Sequence, residues 1–238
     1  MNNNPIGIFD SGLGGLAVRR EVRRQLPNED VVYFADSRNC PYGPKSADEI
    51  VRLARTIVDG LLEKGCKLIV VACNTATAAA IDTLRSEYDV PFVGMEPAIK
   101  QAALHTRTGK VGVLATKGTF NGRLYNETKA KFAKSVTVLA VVADEFVTLV
   151  EGEREAILRG EPICRGAATA RIERTVRRRI EPLLKAGADK IVLGCTHFPH
   201  LAPIIEKVCA GRAEVIDPSL PVARQAVRIL ERLEHGEK

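Results

Sequence analysis

Two cysteines stand in closely matched settings in this chain of 238 residues. Cys73 follows the apolar run "LIVVA" and precedes "NTATAAA", while Cys195 follows "KIVLG" and precedes "THFPHL". At each thiol a buried strand is predicted to end and a helix to begin. The positive end of a helix dipole favours a thiolate, so we expect thiol pKa values below the reference of about 8.5. A thiolate and a thiol on opposite faces of a substrate would form a base and an acid, which suits removal of a proton from one face of a carbon and its return on the other.

Polar residues beside the same turns could complete such a site. Asp10 and His197 could orient the thiols or relay protons to them. A second group comprises hydroxyl and amide side chains at predicted helix starts, where backbone N–H groups can hold a carboxylate. Its members are Asn74, Thr75, Thr116, Thr119 and Thr196. Taken singly, such a residue is most often only a helix cap, so each of these assignments is individually weak.

The elements that must position these residues alternate between strand and helix. Continuous apolar strands separated by helix-period segments indicate parallel sheets covered on both faces. Residues 61–73, "LLEKGCKLIVVAC", align without gaps on residues 183–195, "LLKAGADKIVLGC", which indicates an internal repeat. Ligands bind at the carboxyl ends of the strands in open α/β sheets. Two similar units that face each other would therefore bring both cysteines to one cleft.

These patterns predict an α/β protein made of two similar doubly wound parallel-sheet domains. The two domains are expected to be related by pseudo-symmetry, with the active site in the cleft between them. The first domain would span 1–97, with a C-terminal helical segment at 213–238 packing back on it. The second domain would span 98–212.

Composition and charge narrow the function classes. Apolar residues make up 45% of the chain, and its apolar runs are much too short to span a bilayer. The start "MNNNP" carries no secretory signal, so we expect a cytoplasmic protein. The net charge is +6, but the arginines of "RREVRR" and "RIERTVRRR" interleave with acidic and apolar residues, as on a solvated helix face. Few aromatics and no Trp argue against a nucleic-acid partner.

The cysteine pattern does not favour disulfides or a metal centre. Six cysteines in a chain of this length without an export signal are poor evidence for disulfides. No CxxC pair occurs, and "CTH" at 195–197 lacks the further spaced ligands of a structural zinc site. The default role for any one cysteine is that of a small buried hydrophobe. We therefore predict no metal.

Other functions compete with the two-thiol hypothesis. Gly12, Gly14 and Ala17 satisfy a G-x-G-x-x-A dinucleotide pattern, and Asp36 ends the next strand, which would suit an NAD(P)-binding oxidoreductase. The carboxylate of Asp10 would oppose a pyrophosphate there, so this hypothesis ranks second. Pyridoxal phosphate ranks lower, because no lysine stands at a strand end in a way that invites a Schiff base. A non-catalytic amino-acid or nucleic-acid binding protein is the third class.

Seven motifs in order carry a family resemblance that nearly spans the chain. They are "PIGIFDSGLGGL", "CPYG", "VVACNTATA", "GMEPAIKQA", "LATKGTF", "LVEGE" and "LGCTHFPHL". Together they resemble the glutamate racemases of the aspartate/glutamate racemase superfamily. The resemblance implies cofactor-independent interconversion of L- and D-glutamate, which supplies D-glutamate for peptidoglycan. Racemisation of aspartate is the alternative within the superfamily, and a homo-oligomer, a dimer, is expected.

The resemblance also implies roles for individual residues. Cys73 and Cys195 would be the two acid/base residues, and Glu151 of "LVEGE" matches a glutamate near the family's cleft. Substrate contacts would carry over onto Asp10, Ser11, Tyr42, Gly43, Asn74, Thr75, Thr119, Thr196 and His197. The chain departs from the pattern before the "LV" segment, where Ala143-Asp144 replaces the usual Cys-Pro.

Overall fold

A computed structural model describes residues 4–95, 97–132, 135–161, 163 and 167–235. Strands and helices alternate along the described chain. The strands are β1 (Ile6–Asp10), β2 (Val31–Ala35), β3 (Leu68–Val71), β4 (Phe92–Gly94), β5 (Lys110–Ala115), β6 (Thr137–Val142), β7 (Lys190–Gly194) and β8 (Glu214–Ile216). The helices are α1 (Leu16–Gln25), α2 (Ala47–Glu63), α3 (Asn74–Glu87), α4 (Ile99–His105), α5 (Lys117–Asn121), α6 (Arg123–Phe132), α7 (Glu145–Glu151), α8 (Arg154–Leu158), α9 (Ala167–Lys185), α10 (Ala202–Cys209) and α11 (Ser219–Glu234). A 3-10 helix, Phe198–Leu201, precedes α10.

The strands form two parallel sheets with the same internal order. The first sheet runs β2-β1-β3-β4 and the second runs β6-β5-β7-β8. The gapless sequence alignment places β3 on β7, and these strands hold equivalent positions in the two sheets. The predicted fold class, two similar α/β domains with parallel sheets, is confirmed.

Helices cover both faces of each sheet and bury its inner strands, as continuous apolar strands require. In the first unit, α2 and α3 pack on one face, where their buried residues include Ile57 and Leu84. The other face is covered by α1 and α11, and Val18 of α1 lies in the same cluster as Ala226 of α11. This packing fixes the strand ends from which the polar side chains project.

The chain passes between the two units twice. The first crossing lies between β4, which ends at Gly94, and α4, which begins at Ile99 and packs in the second unit's core. The second crossing lies between Ile216 and Ser219, because α11 returns to pack on α1. The sequence predicts that residues 213–238 form a helical segment on the first domain, but residues 214–216 form β8, which pairs with β7 in the second sheet. Only the helix therefore packs back on the first unit.

Two further properties concern the membrane and the thiols. None of the helices in the described part of the chain combines the length and the apolar composition that crossing a bilayer requires.

Free thiols are found at all the described cysteines: Cys40, Cys66, Cys73, Cys195 and Cys209. Cys164 lies outside the described residues.

Candidate active site

Cys73 lies directly after β3 and caps the N-terminus of α3. Its Sγ accepts a hydrogen bond from the N–H of Ala76 at 3.4 Å, and the hydroxyl oxygen of Ser11 lies 3.7 Å from the same sulfur. Ser11 follows β1, the neighbouring strand in the sheet. Cys73 is 4% exposed, so the thiol is buried at the carboxyl ends of β1 and β3.

Cys195 holds the equivalent position after β7 and begins a chain of polar contacts. Its Sγ lies 3.8 Å from Nδ1 of His197, and Nε2 of that ring lies 2.7 Å from Oε1 of Glu151. The same carboxylate oxygen accepts the backbone N–H of Leu13 at 2.7 Å. The contacts therefore run from the second unit's thiol to the glycine turn of the first unit.

Asp10 connects the two thiol regions. It is fully buried, and its Oδ2 accepts the N–H groups of Gly12 and Gly15 at 3.1 Å each. Its Oδ1 accepts the hydroxyl of Thr196 at 3.1 Å, next to Cys195. The carboxylate thus occupies turn N–H groups that a pyrophosphate would need, which is a physical reason against the dinucleotide alternative.

The glycines of this turn have a packing role in the closed cleft. A Cβ on Gly14 would lie 2.5 Å from Nδ1 of His197, and a Cβ on Gly12 would lie 2.0 Å from Oε1 of Glu151. Neither position leaves room for a side chain. The glycine pattern therefore follows from the close approach of the His197–Glu151 pair rather than from a nucleotide.

A row of threonine hydroxyls joins the units on the other side of the cleft. The hydroxyl oxygens of Thr75 and Thr116 are 2.8 Å apart, and those of Thr116 and Thr119 are 3.0 Å apart. Thr116 also caps α5 by accepting the N–H of Thr119. These buried hydroxyls can each donate and accept, so they can reorganise around a carboxylate.

Asn74 carries an unpaired acceptor. Its Nδ2 donates to the carbonyl oxygen of Met95 at 3.3 Å, whereas its Oδ1 is buried and has no hydrogen-bond partner among the described residues. An unsatisfied buried acceptor destabilises a protein by about 1–3 kcal/mol and calls for an explanation. A donor on a bound ligand would supply one.

Tyr42 and Gly43 both lie near the cleft, Tyr42 with its ring in the core of the first unit and Gly43 beside the threonine row. The Tyr42 hydroxyl donates to Oδ2 of Asp36 at 2.6 Å, and its ring packs in the core of the first unit. Its O–H donor is therefore already engaged by Asp36, and its oxygen keeps the capacity to accept a hydrogen bond. Gly43 lies against the threonine row, since a Cβ there would be 3.5 Å from the Cβ of Thr116.

The expected lowering of the thiol pKa values is wrong. Burial, followed by the nearby charge of Asp10, raises the pKa of Cys73 to about 12, although the hydrogen bond from Ala76 acts in the opposite direction. Burial also raises the pKa of Cys195 well above its usual value. The helix-terminal dipole is therefore outweighed by the loss of water around both sulfurs.

For Glu151, hydrogen bonds rather than burial determine the direction of the pKa shift. Burial raises its pKa, but hydrogen bonds from His197 and from the N–H of Leu13 outweigh burial and hold the pKa below its usual value. The carboxylate is thus kept ionised beside the imidazole. A charged, hydrogen-bonded carboxylate of this kind fixes the orientation of a histidine ring.

A groove of about 690 Å³ opens beside the threonine row. Thr75 and Gly43 lie at its inner end, and three cationic side chains and one carboxylate line it: Lys45, Lys117, Arg123 and Asp144. Neither thiol lines this groove. A ligand that enters here would need the two units to separate before it reaches Cys73 and Cys195.

Several side chains at the site were missed by the sequence reasoning. Cys40 lies beside Glu151 and His197, although its "CPYG" motif gave it no role. Asp36 holds Tyr42, and Asp144 accepts the N–H of Lys117 at 3.1 Å. Both aspartates follow the end of a parallel strand, β2 or β6. Their positions were noted in the sequence, Asp36 in the dinucleotide pattern and Asp144 in the departure from the family motif, but these contacts were not predicted.

Comparison with known proteins identifies the family. A model of the Asp/Glu/Hydantoin racemase family matches residues 15–226. The glutamate racemase of Herpetosiphon aurantiacus is 47% identical over 231 residues, which cover 97% of this chain and 86% of that protein. The glutamate racemase of Methylococcus capsulatus is 44% identical over 97% of this chain and 80% of its own length.

Solved structures agree with the sequence relatives. A glutamate racemase isoform from Bacillus anthracis superposes with a TM-score of 0.84 at 32% identity, covering 98% of this chain and 83% of that one. The Escherichia coli glutamate racemase, in complex with L-glutamate and the activator UDP-MurNAc-Ala, superposes with a TM-score of 0.83 at 37% identity, covering 96% and 83%. With its paired thiols at equivalent ends of two parallel sheets, this chain belongs to the Asp/Glu/Hydantoin racemase family.

Proposed function

We propose that the protein interconverts L- and D-glutamate without a cofactor, using Cys73 and Cys195 as its two acid/base residues. The observation that carries the proposal is the position of the two thiols at the ends of equivalent strands, β3 and β7. Ser11 and Asp10 link them through contacts to Cys73 and Thr196. Curated relatives named glutamate racemase at 47% and 44% identity support the substrate.

The reaction needs one thiolate and one thiol. One sulfur takes the α-proton as the C–H bond breaks, and the other S–H delivers a proton to the opposite face of the carbanion. Because burial raises both thiol pKa values, the thiolate that forms is a stronger base than an exposed one. A strong base is required here, since the proton leaves carbon.

Neighbouring groups would set the protonation state of each sulfur. His197, whose Nδ1 lies 3.8 Å from Sγ of Cys195, can exchange a proton with that thiol, while Glu151 holds the ring from the other side. Asp10 raises the pKa of Cys73 through its charge and so increases its basicity as a thiolate. We assign His197 and Asp10 to proton control and Glu151 to positioning.

The polar lining suits an amino acid with two carboxylates. The unpaired Oδ1 of Asn74 can accept from the α-ammonium group, and the hydroxyls of Thr75, Thr116 and Thr119 can donate to a carboxylate. The cationic side chains of the groove would attract an anionic substrate. Glutamate is favoured over aspartate by the named relatives, and parallel assays with both amino acids test this choice.

We further propose that the product D-glutamate supplies peptidoglycan synthesis, and that the enzyme acts in the cytoplasm as a homodimer. These statements follow from the resemblance to glutamate racemases. Light scattering on the purified protein tests the dimer. Depletion of the protein in its host, with rescue of growth by added D-glutamate, tests the supply role.

A deuterium experiment tests the two-thiol mechanism. In deuterated water the product enantiomer should carry solvent deuterium at its α-carbon, because proton removal and proton delivery use different sulfurs. Cys73→Ser and Cys195→Ser should each almost abolish racemisation. Each variant should still eliminate a good β-leaving group from one enantiomer of a glutamate analogue, and the two should prefer opposite enantiomers. The same preference in both would refute the assignment.

A further inference from the structure

Three potential metal ligands outside the proton-transfer pair meet beside the cleft. Sγ of Cys40, a carboxylate oxygen of Glu151 and a ring nitrogen of His197 all lie within 4.8 Å of one another. They come from the turn before α2, from the end of α7 and from the segment after β7. We propose that they form an inhibitory binding site for a thiophilic divalent cation, with Zn²⁺ as the best match.

The donor set supports this choice of ion. Thiolate, imidazole and carboxylate are the protein ligands of zinc, with Zn–S near 2.3 Å and Zn–N and Zn–O near 2.0–2.2 Å. Tetrahedral geometry with these bond lengths places the ligand atoms roughly 3.3–3.7 Å apart. The observed separations bracket this range, from 2.7 Å for the His197–Glu151 pair to at most 4.8 Å. Small side-chain rotations would therefore suffice.

The surroundings pack closely against the three ligands and hold them in place. Gly12 adjoins the cluster, since a Cβ there would lie 3.0 Å from Sγ of Cys40 and 2.0 Å from Oε1 of Glu151. The N–H of Leu13 already orients the Glu151 carboxylate. Supporting hydrogen bonds of this kind are typical of metal ligands. Three protein ligands would leave a fourth position for water.

Binding would interfere with the proposed reaction. The Cys40 thiol loses its proton to solvent, its sulfur bonds to the metal, and the metal replaces the hydrogen bond between His197 and Glu151. His197 is then fixed at Nε2 and can no longer exchange protons freely beside Cys195. This inference rests on the proposed function only for its activity readout, because metal binding can be measured separately.

The test compares wild type with Cys40→Ser and with a matched control, Cys66→Ser. Cys66 is a buried cysteine at the opposite end of the first sheet, just before β3. Inhibition of each protein is measured against its own metal-free activity over a range of buffered free Zn²⁺, with Mg²⁺ as the hard-ion control. Cobalt(II) then reports thiolate ligation through its charge-transfer absorption, whether or not the protein racemises glutamate.

We expect Zn²⁺ to inhibit wild type and Cys66→Ser reversibly, and Mg²⁺ to have no such effect. Loss of a supporting contact lowers metal affinity by about 10–100-fold, so loss of the thiolate in Cys40→Ser should weaken inhibition at least about tenfold. The cobalt charge-transfer band should disappear in Cys40→Ser alone. Equal inhibition and an unchanged band in that variant would overturn the proposal and assign the metal to Cys73 and Cys195. Absence of both effects in wild type would also overturn it.

A measurement on wild type alone tests the site even if Cys40→Ser does not fold. Alkylation of wild type, followed by mass spectrometry, gives the labelling rate of each cysteine. Zn²⁺ should protect Cys40, whereas Mg²⁺ should not. Protection of Cys73 and Cys195 with unchanged labelling of Cys40 would contradict the proposed site.

Discussion

Replacement of Asp10 by Asn should lower catalytic turnover much more than it lowers the free energy of unfolding. Asp10 accepts hydrogen bonds from two backbone N–H groups and from the Thr196 hydroxyl, and it is fully buried. An asparagine can keep all three contacts, because its oxygen can accept the two N–H groups and its amide can donate to the Thr196 oxygen. The geometry should survive while the charge is lost.

The size of each effect follows from these contacts. A hydrogen bond to a charged group contributes about 1.5–3 kcal/mol and a neutral one about 1 kcal/mol. Three weakened bonds, partly offset by relief from burying a charge, should lower the free energy of unfolding by about 1–3 kcal/mol. Loss of proton control should lower kcat/KM at least about 100-fold. The pKa of Cys73 should also fall, because the Asp10 charge contributes to raising it.

Asp189→Asn is the matched control. Asp189 is also a buried aspartate, 7% exposed, and it accepts hydrogen bonds from Thr106, Thr108 and the N–H of Arg107. It lies before β7, at the opposite end of the sheet from the cleft. Its variant should lose comparable stability and keep its turnover. Chemical denaturation, racemase kinetics and the pH dependence of Cys73 alkylation measure the three quantities. Equal losses of turnover in the two variants would refute the reasoning.

Three further predictions concern other parts of the structure. Burial, together with the charges of His197 and Arg20, lowers the pKa of His200 to about 4. In the unfolded chain the same imidazole is protonated near pH 6.5, so between these two pH values the unfolded state binds a proton that the folded state does not. Stability should therefore fall as pH drops from about 6.5 to 4, by at most about 3 kcal/mol from this residue, and His200→Gln should show a correspondingly smaller acid loss in denaturation curves. Gly14→Ala should reduce turnover strongly, because its Cβ would meet His197 at 2.5 Å, and a normal rate would contradict the closed geometry. Gly60→Ala, in the last turn of α2 with no atom outside the helix's own backbone within 4 Å of the new Cβ, should instead raise the free energy of unfolding by about 0.4–1 kcal/mol in the same denaturation assay.

Hydrophobic periodicity and the internal repeat in the sequence were sufficient to predict the two-sheet architecture. The gapless alignment of 61–73 on 183–195 predicted two equivalent strands, and β3 and β7 hold equivalent positions in two parallel sheets. The rule that ligands bind at the carboxyl ends of strands then located Asp10, Cys73 and Cys195. These inferences depend on local pattern and on topology, both of which the sequence carries directly.

Contacts between distant segments could not be predicted in the same way. The pKa of Cys73 depends on how completely water is excluded and on the distance to Asp10, and neither is encoded near residue 73. The Tyr42 hydroxyl is taken up by Asp36, and the Cys40 thiol lies beside Glu151, through packing of loops from different elements. Such partners are determined by the assembled fold.

The double passage of the chain between the two units restricts how the cleft can open. Both crossings lie side by side, since Gly94 and Ala98 line the same groove as Pro218 and Val222. Two adjacent covalent links act as a hinge with one axis, about which the units can swing but along which they cannot slide far. Cys73 and Cys195 would then separate along an arc and return to the same relative positions after each glutamate enters or leaves. Stereochemical inversion by the proposed two-thiol mechanism would depend on that alignment, so the two links would help to preserve it.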